Sequence, residues 1–198
     1  MRLNSEQESA ILEDWQENTS SQPIRQLETW VIDDLHYPEY RRFDKLFTEN
    51  NIGHKDWGNG WLYYKKDMQY PEDLDPEKHF HEFIKKSCKG LPIKITNFKK
   101  SWGVKYIAGA YSGMHSHVPG RQLTAVLFLT TSIHSQEYPL AGNLVTLQPT
   151  NHEINYVATP AIQGNIVIMD GRVYHGTYPT LNERKVFVCD FDYELYNG

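Results

Sequence analysis

The sequence predicts a mainly β protein with N-terminal helices, and three observations support that fold class. From Leu91 onward, short segments rich in Val, Ile, Leu, Thr and Tyr are separated by Gly, Pro, Asn and Ser, a pattern typical of strands and turns. No helix-length periodic segment lies between them, which argues against alternating β-α units. Residues 1–90 instead carry helix caps and apolar residues at helical spacing. We therefore expect an antiparallel sandwich or barrel preceded by supporting helices.

Length and composition limit the class of protein. The 198 residues are 39% hydrophobic and 13% aromatic, so a single domain over 1–198 can bury a core without disulfides. No run approaches the roughly 18–20 apolar residues of a spanning helix, and the first residues lack an apolar signal-peptide segment. Cys88 and Cys189 lack a Cys-x-x-Cys spacing and are expected to be free thiols of a cytoplasmic protein. The net charge of −5, without a basic stripe, argues against a nucleic-acid partner.

Capping signals predict the elements of 1–90. Ser5 and Glu8 have the spacing of a capping box, and Pro38 suits the first turn of a helix. Asp75 precedes a helical segment that Gly90 can end. The predicted helices cover about 5–18, 38–47 and 75–90, and a predicted strand covers 27–32.

The segment 50–71 is rich in Gly, Trp and Tyr, and we predict a long ordered loop there. Its residues Trp57, Trp61 and Tyr63 are candidates for a substrate lid, although aromatic residues of a loop also commonly pack on their own domain. Beyond the last helix, the β core is predicted over 91–195. Its predicted strands are 91–98, 102–110, 122–130, 143–148, 154–158, 164–169 and 185–192.

A His-x-His pair has the spacing of two metal ligands. His115 and His117 begin a strand-like segment, where alternate residues share a face and lie about 6.6 Å apart along the chain. His79 and His81 have the same spacing, but their segment is predicted to be helical, where such residues point about 200° apart. The first pair therefore suits one ion, and the alternative interpretation is a pair of surface or turn histidines.

Two further residues extend this candidate site. His175 follows the apolar segment 164–169 and a Gly turn, and neutral imidazole is the commonest ligand of mid-range transition metals. Arg184 begins the last apolar strand, and a hairpin would place it in the same cavity as His175. A buried Arg needs an anionic partner. A dicarboxylate could supply one by bidentate pairing, and an ordinary salt bridge is the alternative.

In order and spacing, these segments resemble the 2-oxoglutarate- and Fe(II)-dependent oxygenases of the prolyl-hydroxylase-like branch. The resemblance covers roughly 27–192. It implies a double-stranded β-helix core of the jelly-roll or cupin-like type. It also implies a dioxygenase, a hydroxylase that couples 2-oxoglutarate decarboxylation to oxidation of a substrate C–H bond. The matching segments are 28–35, His115-Ser116-His117, 121–129, Gly142-Asn143-Leu144-Val145, 170–175 and Arg184.

The resemblance implies roles for single residues. The family often has Ser or Thr two residues after its Arg, whereas Val186 stands there in this chain, so another hydroxyl would have to supply that hydrogen bond. The substrate would be a small molecule or a peptidyl side chain. The implied catalytic Fe(II) ligands are His115, His117 and His175, and the implied 2-oxoglutarate-binding residues are Arg184, Tyr106 and Thr124.

The chain departs from the family at His117, where the family has a carboxylate. The replacement removes one negative charge from the metal ligands, so metal affinity and oxygen activation should change. Asp170, before the Gly171 turn, is an alternative acidic ligand. Two other functions stay open: a three-His cupin-type metalloenzyme that needs no 2-oxoglutarate, such as a thiol dioxygenase, and a non-catalytic β-sandwich binding module. Against the cupin, no acid stands shortly after His117.

Overall fold

The structure, a computed structural model, describes residues 29–47, 52–56, 61–64, 76–117, 121–149 and 154–195. The predicted helix at 5–18 and Trp57 lie outside these residues. In chain order the strands are β1 (Val31–His36), β2 (Ile52–Asp56), β3 (Trp61–Tyr64), β4 (Ile93–Tyr106), β5 (Ser112–His115), β6 (Gln122–Phe128), β7 (Leu144–Pro149), β8 (Ile154–Thr159), β9 (Asn165–Asp170), β10 (Tyr174–Thr177) and β11 (Arg184–Leu195). The helices are α1 (Pro76–Ser87) and two 3-10 helices, Tyr40–Leu46 and Cys88–Gly90.

The strands form two antiparallel sheets with a cavity between them. The larger sheet has the order β1-β9-β6-β11-β4-β3-β2, and the smaller has the order β5-β10-β7-β8. Because neighbours in both sheets are mostly distant in the chain, the connections cross from one sheet to the other. The predicted mainly β class with N-terminal helices is confirmed.

The larger sheet is covered on both faces, which is why its central strands are almost continuously apolar. On the face away from the cavity, Phe187 of β11 is fully buried against Phe43 and Phe80, with ring centroids 4.3 and 5.8 Å away. These two phenylalanines come from the first 3-10 helix and from α1. Burying one such ring contributes about 1.5–3 kcal/mol. The other face, with Val186 and Val188, borders the cavity.

The structure differs from the prediction in six elements. The predicted loop at 50–71 contains β2 and β3, which pair with each other and add to the edge of β4, so the loop prediction was wrong. Strand pairing compensates for the low strand propensity of Gly53 in β2. The predicted strands 91–98 and 102–110 are one strand, β4. The segment after Pro38 forms a 3-10 helix, and the short strand β10 was not predicted. The strand predicted to begin at His115 ends there as β5, so His117 lies beyond it.

Two further predictions concern cysteines and membrane spans. Cys88 and Cys189 are both buried and neither forms a disulfide, as predicted. Burial raises the pKa of Cys88 to about 12, so its thiol stays protonated. Among the described helices, none has the length and apolar character needed to cross a bilayer.

Candidate metal centre

Three histidines meet where β5 and β10 pair. His115 ends β5 and lies directly opposite His175 of β10. His117 follows two residues later, and its backbone N–H donates to the carbonyl of Gly171 at 2.8 Å. The three ring centroids are 4.4 to 5.4 Å apart. The structure therefore brings together the three histidines that the sequence singled out, from segments about sixty residues apart.

Each histidine ring is oriented by a hydrogen bond from its Nδ1 atom. His115 Nδ1 is 2.9 Å from the carbonyl oxygen of Gly113, and His175 Nδ1 is 3.0 Å from that of Val173. His117 Nδ1 is 2.8 Å from Oδ1 of Asp190. Carbonyl and carboxylate oxygens only accept, so each Nδ1 carries the proton. In the neutral imidazole, the form that binds metal, each Nε2 then has its lone pair available for an ion.

The distances and protonation of these rings fit one metal ion. One potential ligand nitrogen from each ring lies within 4.8 Å of the others. Three nitrogens that bind one ion at about 2.1 Å from the same side are about 3.0–3.6 Å apart, so side-chain movements of about 1–2 Å would complete the site. Burial, with the neighbouring His115, lowers the pKa of His175 to about 3. His175 is therefore neutral near pH 7, as a ligand must be.

The cavity beside the histidines has a volume of about 600 Å³, within the usual range for a small-molecule site. Strand alternation defines its walls, because every second residue from 100 to 106 of β4 and from 184 to 190 of β11 faces it. The contributing side chains of these strands are Lys100, Trp102, Val104 and Tyr106 of β4, and Arg184, Val186, Val188 and Asp190 of β11. His115, His117 and His175 line the same cavity.

Arg184 is a buried cation without a charged partner among the described residues. Its guanidinium carbon is 5.0 Å from the ring centroid of Tyr106 and 5.3 Å from that of Phe128. Its side-chain nitrogens are buried without a hydrogen-bond partner among the described residues. Burial lowers the pKa of Arg184, and the adjacent Tyr106 phenol partly opposes that shift. Such a site has the chemistry to accept a carboxylate, and the ordinary salt bridge considered from sequence is not formed within the described part of the chain.

Tyr106 and Thr124 occupy different parts of the site. Tyr106 is the register partner of Arg184 across β4 and β11, so it stands at the cationic end of the cavity. The Thr124 hydroxyl donates to Asp190 Oδ1 at 2.8 Å and lies 2.9 Å from His117 Nδ1. Its contacts therefore support a histidine, and its predicted contact with 2-oxoglutarate stays a prediction.

Both carboxylate oxygens of Asp170 already accept hydrogen bonds from neighbouring side chains. Arg172 donates to both of its carboxylate oxygens from Nε and Nη2, each at 2.8 Å, and the Tyr193 hydroxyl donates at 2.8 Å. Burial, together with the hydrogen bond to Asp170, raises the pKa of Tyr193 to about 12. The alternative that Asp170 supplies the missing acidic ligand is therefore not supported by its contacts.

Asp190 is the site residue that the sequence analysis missed. It is fully buried, lines the cavity and contacts His117. The signal was present in the alternation of β11, because Asp190 follows Arg184, Val186 and Val188 on the same face. The apolar residues that precede Asp190 predicted only a core strand, so the aspartate itself was not singled out.

Comparison with known proteins identifies the fold. No family model matches the sequence, and no curated protein matches it significantly. Among solved structures, a prolyl-4-hydroxylase of Pseudomonas putida superposes with a TM-score of 0.60 at 18% identity, over 92% of this chain and 96% of the other. A prolyl hydroxylase of Trichoplax adhaerens, in complex with a hypoxia inducible factor peptide, gives 0.61 at 16% identity, over 93% and 92%.

A third similar structure is HygX of Streptomyces hygroscopicus with nickel, 2-oxoglutarate and hygromycin B bound, with a TM-score of 0.58 at 12% identity, over 86% of this chain and 87% of the other. At sequence identities this low, the structural similarity supports the fold alone, and the activity has to be inferred from the residues of the site. The chain has the double-stranded β-helix fold shared by prolyl hydroxylases and other 2-oxoglutarate- and Fe(II)-dependent oxygenases.

Proposed function

We propose that the protein is an Fe(II)- and 2-oxoglutarate-dependent dioxygenase, a hydroxylase that couples 2-oxoglutarate decarboxylation to oxidation of a substrate C–H bond. One observation carries the proposal. Three histidines whose ring nitrogens lie close together and a buried arginine that has no anionic partner among the described residues line one cavity of about 600 Å³. The histidines suit a metal ion, and the arginine suits the carboxylate of an organic acid that also reaches the metal.

The chain's own residues would bind and orient the reactants. His115, His117 and His175 would hold the metal from one side, each in the tautomer set by its Nδ1 hydrogen bond. When bound, Fe(II) with 2-oxoglutarate and oxygen supplies the oxidising chemistry.

Arg184 would bind the far carboxylate through its planar fork, and the adjacent Tyr106 hydroxyl would add a donor to the same group. Val186 and Val188, between the two ends of the cavity, would exclude water from the reacting atoms. Because Val186 has no hydroxyl to donate to 2-oxoglutarate, Arg184 would supply a larger share of the affinity for it.

The substrate class follows from the cavity and the fold. One similar structure contains a peptide and another contains hygromycin B, so this fold accepts both peptidyl and small-molecule ligands. For this chain we propose a small-molecule or peptidyl substrate, a single domain over 1–198 and a cytoplasmic location. The net charge of −5 makes nucleic acid a poor electrostatic match.

The test is an anaerobic titration. We expect the metal-free protein to bind one Fe(II), and the addition of 2-oxoglutarate to produce the weak visible charge-transfer band of a chelated Fe(II)–2-oxoacid complex. Arg184→Gln should keep iron binding and lose the band at the same 2-oxoglutarate concentration. His79→Ala, on helix α1, is the matched control and should behave as the wild type.

Two outcomes would favour the alternatives. Iron binding without a band at any 2-oxoglutarate concentration would favour a three-His dioxygenase of the cupin type, and the lone guanidinium would then need another anion. Failure to bind iron would leave a non-catalytic binding module.

A further inference from the structure

Asp190 is a buried carboxylate that contacts His117, the histidine that stands where the family resemblance leads us to expect a carboxylate. Its Oδ1 accepts hydrogen bonds from His117 Nδ1 and from the Thr124 hydroxyl, both at 2.8 Å. Its Oδ2 is buried without a hydrogen-bond partner among the described residues. The Lys100 ammonium lies 3.5 Å from that oxygen, on a side chain that is 60% exposed.

These contacts do not explain the buried Asp190 carboxylate by a contribution to the stability of the fold. A carboxylate removed from water costs several kcal/mol unless strong partners compensate, and an exposed lysine is a weak partner. The closer contacts, both at 2.8 Å, come from the imidazole N–H of His117 and the hydroxyl of Thr124. The carboxylate therefore resembles the acidic residues that orient metal-bound histidines from behind.

The ring of His117 is fixed on several sides. Asp190 Oδ1 and the Thr124 hydroxyl are 2.8 and 2.9 Å from its Nδ1. The indole of Trp102 stacks on the ring, with centroids 5.8 Å apart and planes inclined by 28°. Because Asp190 only accepts, it requires a proton on Nδ1 and so directs the lone pair of Nε2 away from itself. Thr124 and Asp190 are register partners across β6 and β11, so the arrangement is built into the sheet.

We propose that Asp190 is a positioning residue that orients His117 for metal binding and returns to the site the negative charge that a third histidine omits. Two histidines and a carboxylate place one negative charge against the ion, whereas three neutral imidazoles place none. In this chain the charge stands one hydrogen bond behind His117. The inference rests on the metal site of the proposed function but does not require 2-oxoglutarate.

The carboxylate acts on the metal through the imidazole. It polarises the Nδ1–H bond and makes Nε2 a stronger donor, and removing such a partner typically costs about 10–100-fold in metal affinity. The replacement of a carboxylate ligand by His117 is thus offset within the same site, because Asp190 supplies the charge without touching the ion.

The first test measures metal affinity without turnover. Asp190→Asn keeps the shape and an acceptor oxygen but removes the charge. Metal-free proteins are titrated with Co(II) against a competing chelator, and the visible Co(II) spectrum reports the ligand set. We expect about 10–100-fold weaker binding for Asp190→Asn. Asp192→Asn is the matched control, because Asp192 lies two residues further on the same strand and contacts the exposed Lys99 at 3.5 Å. Its affinity should equal that of the wild type.

A double-mutant cycle separates this role from a general effect on the fold. In a His117→Asp background, residue 117 would itself carry the charge and would stand beside Asp190 as a like charge. Asp190→Asn should then tighten Co(II) binding or leave it unchanged, the opposite of its effect beside His117. A similar loss of affinity in both backgrounds would overturn the proposal, because Asp190 would then act independently of residue 117.

A second readout needs no metal at all. Nitrogen-15 spectra of the histidine rings distinguish the two tautomers. We expect His117 to be protonated on Nδ1 in the wild type and in Asp192→Asn, and partly on Nε2 in Asp190→Ala. An unchanged tautomer would overturn the orienting role.

The outcomes separate this inference from the proposed function. Co(II) binding that depends on Asp190, in a protein that ignores 2-oxoglutarate, would refute the proposed function and support the inference. Dependence on 2-oxoglutarate with no effect of Asp190→Asn would do the reverse, and a wild-type protein that binds no divalent metal would refute both.

Discussion

Replacing Arg184 by methionine removes a buried positive charge whose nitrogens have no hydrogen-bond partner in the described part of the chain. We expect the metal-free protein to become more stable as a result. Methionine preserves much of the aliphatic length and packs readily against aromatic rings, so contacts with Tyr106 and Phe128 should largely persist. The same change should abolish the binding of 2-oxoglutarate, because the carboxylate loses its bidentate donor.

Two opposing contributions determine the size of the gain in stability. An uncompensated buried charge costs about 3–5 kcal/mol. The rings of Tyr106 and Phe128, 5.0 and 5.3 Å from the guanidinium carbon, return about 1 kcal/mol each through cation–π attraction. The free energy of unfolding should therefore rise by about 1–3 kcal/mol. For a chain of this size that corresponds to an increase in Tm of roughly 2–12 °C.

The assay is calorimetric unfolding of metal-free protein, repeated with Zn(II) and 2-oxoglutarate. Saturation at about 100 times Kd should stabilise the wild type by about 2.7 kcal/mol, whereas Arg184→Met should gain only the part due to zinc. Arg172→Met is a control of opposite sign, since it removes two 2.8 Å hydrogen bonds from the buried Asp170 and should destabilise by about 1–3 kcal/mol. If Arg184→Met is as destabilising as Arg172→Met, the guanidinium already has its partner and the reasoning is refuted.

Three further predictions concern the metal ligands, the strand pair beneath them and a buried thiol. His175→Ala should reduce bound Fe(II), measured by metal analysis, from one per chain to none, while His79→Ala should keep one. Gly176→Ala should destabilise the protein by about 1–3 kcal/mol in denaturant unfolding, because its Cβ would lie 2.8 Å from a backbone oxygen of β5. Gly113→Ala, with nothing within 4 Å, should unfold like the wild type. Cys88 should react with a thiol reagent only after unfolding, since burial raises its pKa to about 12.

Each of these expectations has a clear contrary result. Retention of stoichiometric iron in His175→Ala would remove that residue from the ligand set. Equal unfolding midpoints for the two glycine variants would mean that β5 and β10 are not packed at the stated distance. Rapid modification of Cys88 in the native protein would show that the helical segment around Cys88 opens readily.

Sequence alone predicted the strands with strong apolar character and missed those that depend on their partners. The central strands β6 and β9 are nearly continuous in apolar residues and were predicted within two residues of their bounds. The strands β5 and β10 have four residues each, with serine, glycine and histidine among them, so they carry little propensity. They form because β10 pairs with β5 on one side and with β7 on the other. The amino-acid composition of a segment does not reveal which strands it will pair with.

The candidate site divides in the same way. His115, His117, His175 and Arg184 were identified because spacing and residue type indicate metal and anion chemistry, and the structure gathers them in one cavity. The contacts of Thr124 could not be predicted, because its neighbour Asp190 lies on a strand 66 residues away in the chain and becomes its register partner only on folding. Long-range pairing of this kind leaves no local signal.

One face of β11 joins the two charged ends of the site. Arg184 and Asp190 begin and end its cavity-facing row, with Val186 and Val188 between them. Six residues of strand span about 20 Å, so the cation and the carboxylate are far enough apart not to neutralise each other. Each charge therefore remains available: Arg184 for an organic anion, and Asp190, through His117, for a metal cation. The two valines keep the intervening path apolar, where electrostatic attraction at either end is stronger than in water. The cavity-facing row of β11, with a charge at each end and two valines between, thus gives the cavity a cationic end and an anionic end. Exchanging the charges of positions 184 and 190 should therefore abolish the binding of both ligands even if the fold is retained.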